Sequence, residues 1–386
     1  MSGQIWDAAI VGGGLAGRSA AVALARAGLD VLHLAPKGPP DRRTSALMQP
    51  SVEFLRDIGV IADPAAIGVP LQRIRIIDAT HRVLRAPETL FDSADAGLAA
   101  FGWNFANVAL AEALEGAAGG LPTLTTREVA MTGALIGSPS ILTLADGDRV
   151  AARLVVGADG RNSAVRAAAG LAAREHKFTQ AALVCDLQLG RPLRGDSVEF
   201  HYENGPFTLV PAGGNRANLV WIDDATVLAD AKAGGVDRLK VIFAEKSQRL
   251  FGSIDLASPA FVFPLSTLLV SAAGAGGVAL VGEAAHAFPP IGAQGLNLGL
   301  RDVAELAAAV RALPRADAGW AVAVSENYAA RRAGDLARTG AAVDALFRSL
   351  LADMLPAQAV RAGGLWALKL LPVLRRQAIS AGIGAS

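Results

Sequence analysis

The sequence predicts an α/β protein in which two sheet-containing domains interrupt one another and helices close the chain. Three observations carry this. An apolar run, Ala8-Ala9-Ile10-Val11, ends in Gly12-Gly13-Gly14-Leu15-Ala16-Gly17 and passes into an Ala- and Leu-rich helical stretch reaching Ala27. Between about Ala181 and Phe263 the pattern changes to short strand-like pieces. Val278-Ala279-Leu280-Val281-Gly282 then returns to a buried strand, and everything after Gly295 has helical spacing. The expected division is 1–72, 98–178 and 277–345 for the first domain, 73–97 and 179–276 for the second, and 346–386 for a helical C-terminal segment.

In chain order, Gly28 stops the first helix and Val31-Leu32-His33-Leu34 forms the next parallel strand, giving the strand, turn, helix, strand unit of a Rossmann-like domain. Ile74-Arg75-Ile76-Ile77 and Val83-Leu84 alternate around Asp78 to His81 like a hairpin. Asn107 to Gly116 has helical spacing, Ile141 to Leu144 and Val150 meet at Asp146-Gly147, and Leu154 to Gly157 forms a further buried strand. In the second domain, Val198 to Tyr202 and Ala217 to Trp221 are strands and Arg238 to Arg249 a helix. No charge lies between Asp255 and Glu283, yet Pro264 and the cluster Gly274, Gly276, Gly277 divide that stretch into strand-length runs, which excludes a membrane-spanning helix there.

The bulk numbers narrow the function classes. A length of 386 residues exceeds one ordinary core, and 52% hydrophobic against 18% charged residues excludes disorder. With 36 basic and 35 acidic residues the net charge of +1 gives no case for nucleic acid. Cys185, the only cysteine, excludes an internal disulfide and a cysteine cluster for metal, so no metal site is expected; it is read as a small buried apolar residue. The N-terminus lacks an export signal, and a cytoplasmic location is expected.

Three loops carry chemistry. In Gly12-x-Gly14-x-x-Gly17 the glycines let the backbone turn tightly and bring the amides of Leu15, Ala16 and Gly17 at a helix start against a pyrophosphate. The acidic residue that usually binds the adenosine ribose should fall near Ala35 and is missing, which turns attention to Asp41 or Arg42. Asp159 and Gly160, inside Gly157-Ala158-Asp159-Gly160-Arg161 with Arg166 just beyond, place a carboxylate at a strand end suited to hydroxyl groups or to a reducing nucleotide. The third loop delivers Glu283 from a strand, stiffens the turn with Pro289 and Pro290, and exposes amides through Gly292, Gln294 and Gly295 before Asn297; these would stabilise negative charge on a reduced isoalloxazine.

These residues resemble the FAD-dependent aromatic hydroxylases of the para-hydroxybenzoate hydroxylase fold, and most of all their ubiquinone-biosynthesis branch, typified by 2-octaprenyl-6-methoxyphenol hydroxylase. The resemblance spans nearly the whole chain, through Gly12 to Gly17, Asp41 to Leu47, Phe101 to Asn104, Gly157 to Arg161 and Gly282 to Asp302. It implies bound FAD, with Arg43 near the pyrophosphate and Asn107 where relatives often carry Arg or Gln. Glu283 stands where most relatives have Asp, and Ala293 where glycine is common. The implied reaction uses NAD(P)H and dioxygen, through a C4a-hydroperoxyflavin, to hydroxylate a polyprenylated phenol of ubiquinone biosynthesis. A flavin reductase or dehydrogenase of the same fold, and a non-catalytic FAD-binding scaffold in the ubiquinone assembly, are the alternatives.

No acid or base is assigned. His286, at a buried strand end, is expected to bond a backbone partner. His201 or Tyr202 borders a substrate pocket, since alternation sends the other to the opposite face, and Trp103 and Trp221 are cavity-lining or ordinary core. Leu365 to Arg376 combines an apolar surface with basic ends, which suits either a membrane surface, as a peripheral contact, or a helix docked on the first domain.

Overall fold

The computed structural model describes residues 4–81, 85–290 and 293–351. Its helices are α1 (Leu15–Arg26), α2 (Gln49–Asp57), α3 (Asn107–Gly119), α4 (Ala164–Ala168), α5 (Ala225–Ala233), α6 (Gly235–Lys246), α7 (Gln294–Ala312) and α8 (Trp320–Leu351). The C-terminal segment Leu365 to Arg376 lies outside the described residues.

The strand Ile5–Val11 is apolar over its second half because it sits at the centre of a sheet: parallel neighbours Val31–Leu34 and Arg149–Gly157 flank it. Val278–Leu280 continues the sheet beyond Arg149–Gly157, and Leu124–Arg127 extends the other edge. The register aligns Val11 with Leu34 and Gly157, and Gly157 with Leu280. The loops after Val11, Gly157 and Leu280 therefore leave the sheet at one end, where parallel α/β sheets place their ligands. A common core of Ala8, Ile10, Leu24, Val155, Val303, Trp320 and Tyr328 fixes this end against α1, α7 and α8.

The second sheet runs in the order His286–Ala287, Phe261–Val270, Ala173–Leu189, Arg216–Asp224, Gly205–Pro211, Asp196–Tyr202, Arg73–Asp78 and Thr89–Asp92. α5 and α6 bury its outer face, with Phe243 of α6 against Phe207 and Trp221 and Phe200 alongside. A small sheet of Thr44–Met48, Gly102–Ala106 and Gly68–Leu71 lies between the two. The Asn104 side-chain amide joins it to the second sheet by donating to the Pro211 carbonyl and the Asn218 side chain at 3.0 and 2.7 Å.

Four sequence expectations change in detail. The partner of Arg73–Asp78 is Thr89–Asp92; Val83-Leu84 lies outside the described residues. The connection is wider because the Asp78 carboxylate gathers the Thr80 amide and hydroxyl and the Ala86 amide around itself. Val150 and Leu154 to Gly157 belong to one continuous strand, whose first half also pairs antiparallel with Ser140–Leu144. α5 was not expected, since its Ala-rich sequence has weak amphipathic spacing. Pro264 does not interrupt its run: it sits within the strand Phe261–Val270 where the register against Ala173–Leu189 shifts, a bulge that tolerates proline. The uncharged stretch is thus strand, and among the described residues no helix is long and apolar enough to cross a membrane.

Candidate functional site

Two helix starts face each other across the sheet end. A Cβ at Gly12, whose φ is +128°, would lie 2.2 Å from the Ala158 carbonyl oxygen, and one at Gly17 2.1 Å from the Gly12 oxygen; both positions require glycine. At Gly14 a Cβ would meet nothing within 4 Å, so the space before α1 is open. No side chain caps α1, which leaves its first-turn amides as donors for an anion. His33 Nε2 donates to the Gly12 oxygen at 3.0 Å from beneath the loop, and burial holds its pKa below the usual value.

α7 begins in the same way. Ala293, its N-cap, takes the left-handed conformation (φ +55°) that a glycine would adopt without strain, and no side chain caps the helix. A Cβ at Gly295 would meet nothing within 4 Å. Small residues let the two helices close: a Cβ at Gly282 would lie 3.1 Å from Ala16 Cβ, and one at Gly299 3.3 Å from Gly282 Cα. Asn297 anchors α7 to the small sheet, accepting from the Met48 amide and donating to the carbonyls of Ala46 and Ala293. Gln294 opens the helix and bonds Arg301. Pro290 is exposed, and Gly292 lies outside the described residues.

Glu283 is exposed on the short turn Gly282–Ala284. The Asp41 hydrogen bond raises the Arg43 guanidinium above its usual pKa, and the Glu283 charge adds to the effect, which puts that carboxylate within electrostatic reach of the segment after Val31–Leu34. There Arg43 grips Asp41 through two 2.8 Å bonds, and Asn107 reaches Asp41 with its amide at 2.8 Å while accepting from Ser45 at 2.7 Å. Burial raises the Asp41 carboxyl, but the bonds from Arg43 and Asn107 outweigh it and leave the group below its usual pKa. Of the two residues considered for the ribose, Asp41 is thus held by Arg43 and Asn107, and Arg42 is exposed.

Asp159 turns its carboxylate onto the start of α4, accepting from Ser163 Oγ and the amides of Ala164 and Val165 at 2.5, 2.7 and 3.1 Å. Gly160, at φ +80°, leaves the following turn open. Arg166 ties this loop to the third by donating to the carbonyls of Ala284 and Arg161 at 2.9 and 2.8 Å. The structure therefore brings together Gly12 to Gly17, the Asp41–Arg43–Asn107 cluster, Asp159-Gly160, Glu283 and the start of α7 from Gln294 to Asn297.

His286 differs from expectation. Its ring bonds the carboxylate of buried Asp302 at 2.6 Å rather than a backbone group, because the 298–306 face of α7 presents a carboxylate there. Asp302 went unnoticed as a functional residue; the signal was a lone acid between Leu298 and Leu306 at i±4, on an otherwise apolar face. Trp221 and Tyr202 belong to the core under α5 and α6, with the Tyr202 hydroxyl donating to the Lys246 carbonyl and burial pushing its pKa up to about 12. His201 lies on the opposite face beside Glu199. Cys185 is buried, and burial raises its thiol to about 12, out of reach of ordinary nucleophilic chemistry.

The same opposite face carries an apolar patch. Register places Thr208, Val220, Val184 and Phe261 in one row across it, with Ile222, Ala182 and Phe263 in the next. Phe261 and Phe263 stack with ring centroids 6.3 Å apart and stay 52% and 47% exposed. The donor set of two uncapped helix starts with open space ahead of both fits the pyrophosphate and ring of a flavin dinucleotide.

Comparison with known proteins gives the class. A family profile described as FAD binding domain matches residues 6–334. The chain belongs to this family and is an FAD-dependent monooxygenase. It is 32% identical to a ubiquinone hydroxylase, UbiL, of Rhodospirillum rubrum over 97% of this chain and 88% of the relative. It is 30% identical to the 3-demethoxyubiquinol 3-hydroxylase of Escherichia coli over the full length of both. The fold matches that of PqsL, a probable FAD-dependent monooxygenase from Pseudomonas aeruginosa, with a TM-score of 0.80 and 21% identity over 94% of this chain and 100% of that one.

Proposed function

We propose that this protein hydroxylates the aromatic ring of a polyprenylated phenol in ubiquinone biosynthesis, with NAD(P)H as reductant and dioxygen as second substrate. The observation that carries the reading is the apolar, partly open sheet face of Val184, Val220, Phe261 and Phe263, the face whose Asn218 bonds Asn104 of the small sheet. The names of the two bacterial relatives support the pathway.

Bound in the site, FAD supplies the electron transfer and oxygen activation that this chain's side chains lack. The amides of Leu15, Ala16 and Gly17 beyond Gly12 and Gly14 would hold the pyrophosphate, with Arg43 and Asn107 shaping the approach. Glu283, exposed on its turn, would hold the ribityl hydroxyls, and Asp159-Gly160 would border the cofactor from the loop opposite. Pro290, Gln294, Gly295 and Asn297, with Gly292 as the sequence motif assigns it, would border the flavin ring at the start of α7, where amides and helix dipole would stabilise negative charge. The apolar wall excludes water and receives the phenol with its hydrocarbon tail. The same reading divides the chain into a cofactor domain of 1–72, 98–178 and 277–345 and a substrate domain of 73–97 and 179–276.

Deleting the gene in a ubiquinone-making host should accumulate a precursor lacking one ring hydroxyl, and the purified protein should place isotopically labelled oxygen from dioxygen on that precursor. Product free of label would instead support a reductase.

A further inference from the structure

Asp302 is 0% exposed in α7, where an apolar residue would complete the Leu298–Leu306 stripe, and a buried carboxylate is retained at a cost unless every lone pair is used. Its partners share one feature. Oδ2 accepts both the Gly282 amide at 2.9 Å and His286 Nε2 at 2.6 Å, while Oδ1 accepts Arg332 Nε of α8 at 2.8 Å. Gly282 and His286 bracket Glu283, so a single oxygen pins both ends of the turn that presents this residue. Arg332, itself 2% exposed, supplies the neutralising charge and is held in turn by Asp335, which also pairs with Arg301. Tyr328, one helical turn before Arg332, donates to the Leu280 carbonyl at 2.7 Å and fixes the strand that enters the turn.

We propose that Asp302 is a positioning residue for the cofactor: its carboxylate clamps Gly282 and His286 so that Glu283 is held at the flavin, and α8, through Arg332, sets how firmly the clamp closes. This rests on the reading that Glu283 contacts FAD. The carboxylate itself touches no reacting atom. It acts by removing slack from residues 282–286, so its contribution is realised only through the carboxylate it aims, and two residues that act as one unit are not additive.

The test is FAD affinity of the full chain, read by flavin fluorescence for the native protein, Asp302→Asn, Glu283→Ala and the double variant. Asp302→Asn keeps the size but replaces one of the two acceptor oxygens with a donor and removes the charge opposite Arg332, and should weaken FAD roughly 10- to 100-fold. In the Glu283→Ala background the same change should cost no more than about threefold. Amide hydrogen exchange across residues 282–286 should accelerate in Asp302→Asn, a local readout that a general loss of stability would spread over α7 and α8 as well. His286→Ala, which leaves the Asp302–Arg332 pair intact, serves if the asparagine variant fails to fold, and should behave in the same direction. Unchanged affinity in a folded Asp302→Asn, or effects that multiply in the double variant, overturns the clamp. Normal affinity in Glu283→Ala alone removes Glu283 from the cofactor contacts, which is a different failure.

Discussion

Gly17 turns its Cα toward the carbonyl of Gly12 so closely that a Cβ there would stand 2.1 Å from the oxygen, whereas three residues earlier a Cβ at Gly14 would meet nothing within 4 Å. The two glycines thus answer to different constraints. Gly17→Ala should destabilise the fold by roughly 1–3 kcal/mol, seen as a lower thermal midpoint with or without cofactor. Gly14→Ala should leave the apo-protein midpoint within about 0.5 kcal/mol of native while weakening FAD by about tenfold, since the methyl enters only the open space. Equal destabilisation by both would contradict the assignment of that space to the cofactor.

Glu283→Ala should purify largely without yellow colour, with FAD affinity lowered roughly 10- to 100-fold. The ratio of visible to ultraviolet absorbance of the purified protein measures it. A fully flavinylated variant would count against the role given to this carboxylate.

His33 predicts an acid-side loss of stability. Burial puts its folded pKa below the unfolded value of 6.5, so below 6.5 the unfolded chain binds a proton that the folded chain does not, and stability falls as pH drops from 6.5 toward the folded pKa. Above 6.5 the effect vanishes. The lowered carboxyls Asp41 and Asp335 titrate below 3.8 and lie outside this window. Denaturant midpoints across pH 5 to 7 for native protein and His33→Gln, which keeps a donor to the Gly12 oxygen, should diverge on the acid side only.

Ala293→Gly should stabilise the protein by about 0.5–1 kcal/mol, because the left-handed backbone at φ +55° strains a residue with a Cβ. A lower thermal midpoint in this variant would show that the methyl makes a compensating contact.

A membrane-surface role for the C-terminal segment predicts that the full chain sediments with anionic liposomes more than a chain ending at Ala359 does. Equal sedimentation would remove the idea.

How legible the site was depends on whether a signal was local. The loop Gly12 to Gly17 could be placed because an apolar run, three glycines and a helix follow one another within a few residues, and the parallel register then follows from the right-handed crossover. The turn at Glu283 was visible for the same reason. Asp302 was not, because its partners Gly282, His286 and Arg332 are 16 to 30 residues away and meet it only through packing of α7 and α8. The Asp41–Arg43–Asn107 cluster was half visible: each residue could be picked out, but Asp41 was considered for a ribose and is found gripping Arg43, a choice that only the fold of the small sheet decides. The outer strand Thr89–Asp92 escaped because its connection winds around Asp78 instead of turning tightly.

The chain crosses from the first sheet at Leu280 to the second at His286 with only five residues between. This seam has a practical outcome for anyone cutting the gene. A fragment spanning 179–276 would leave behind His286–Ala287 and the first six residues of Ala173–Leu189, baring the amides and carbonyls of Ser266 to Val270 along both sides of their strand. Such a piece would be a template for self-association, so the 179–276 fragment should not be recoverable as a soluble, autonomous unit.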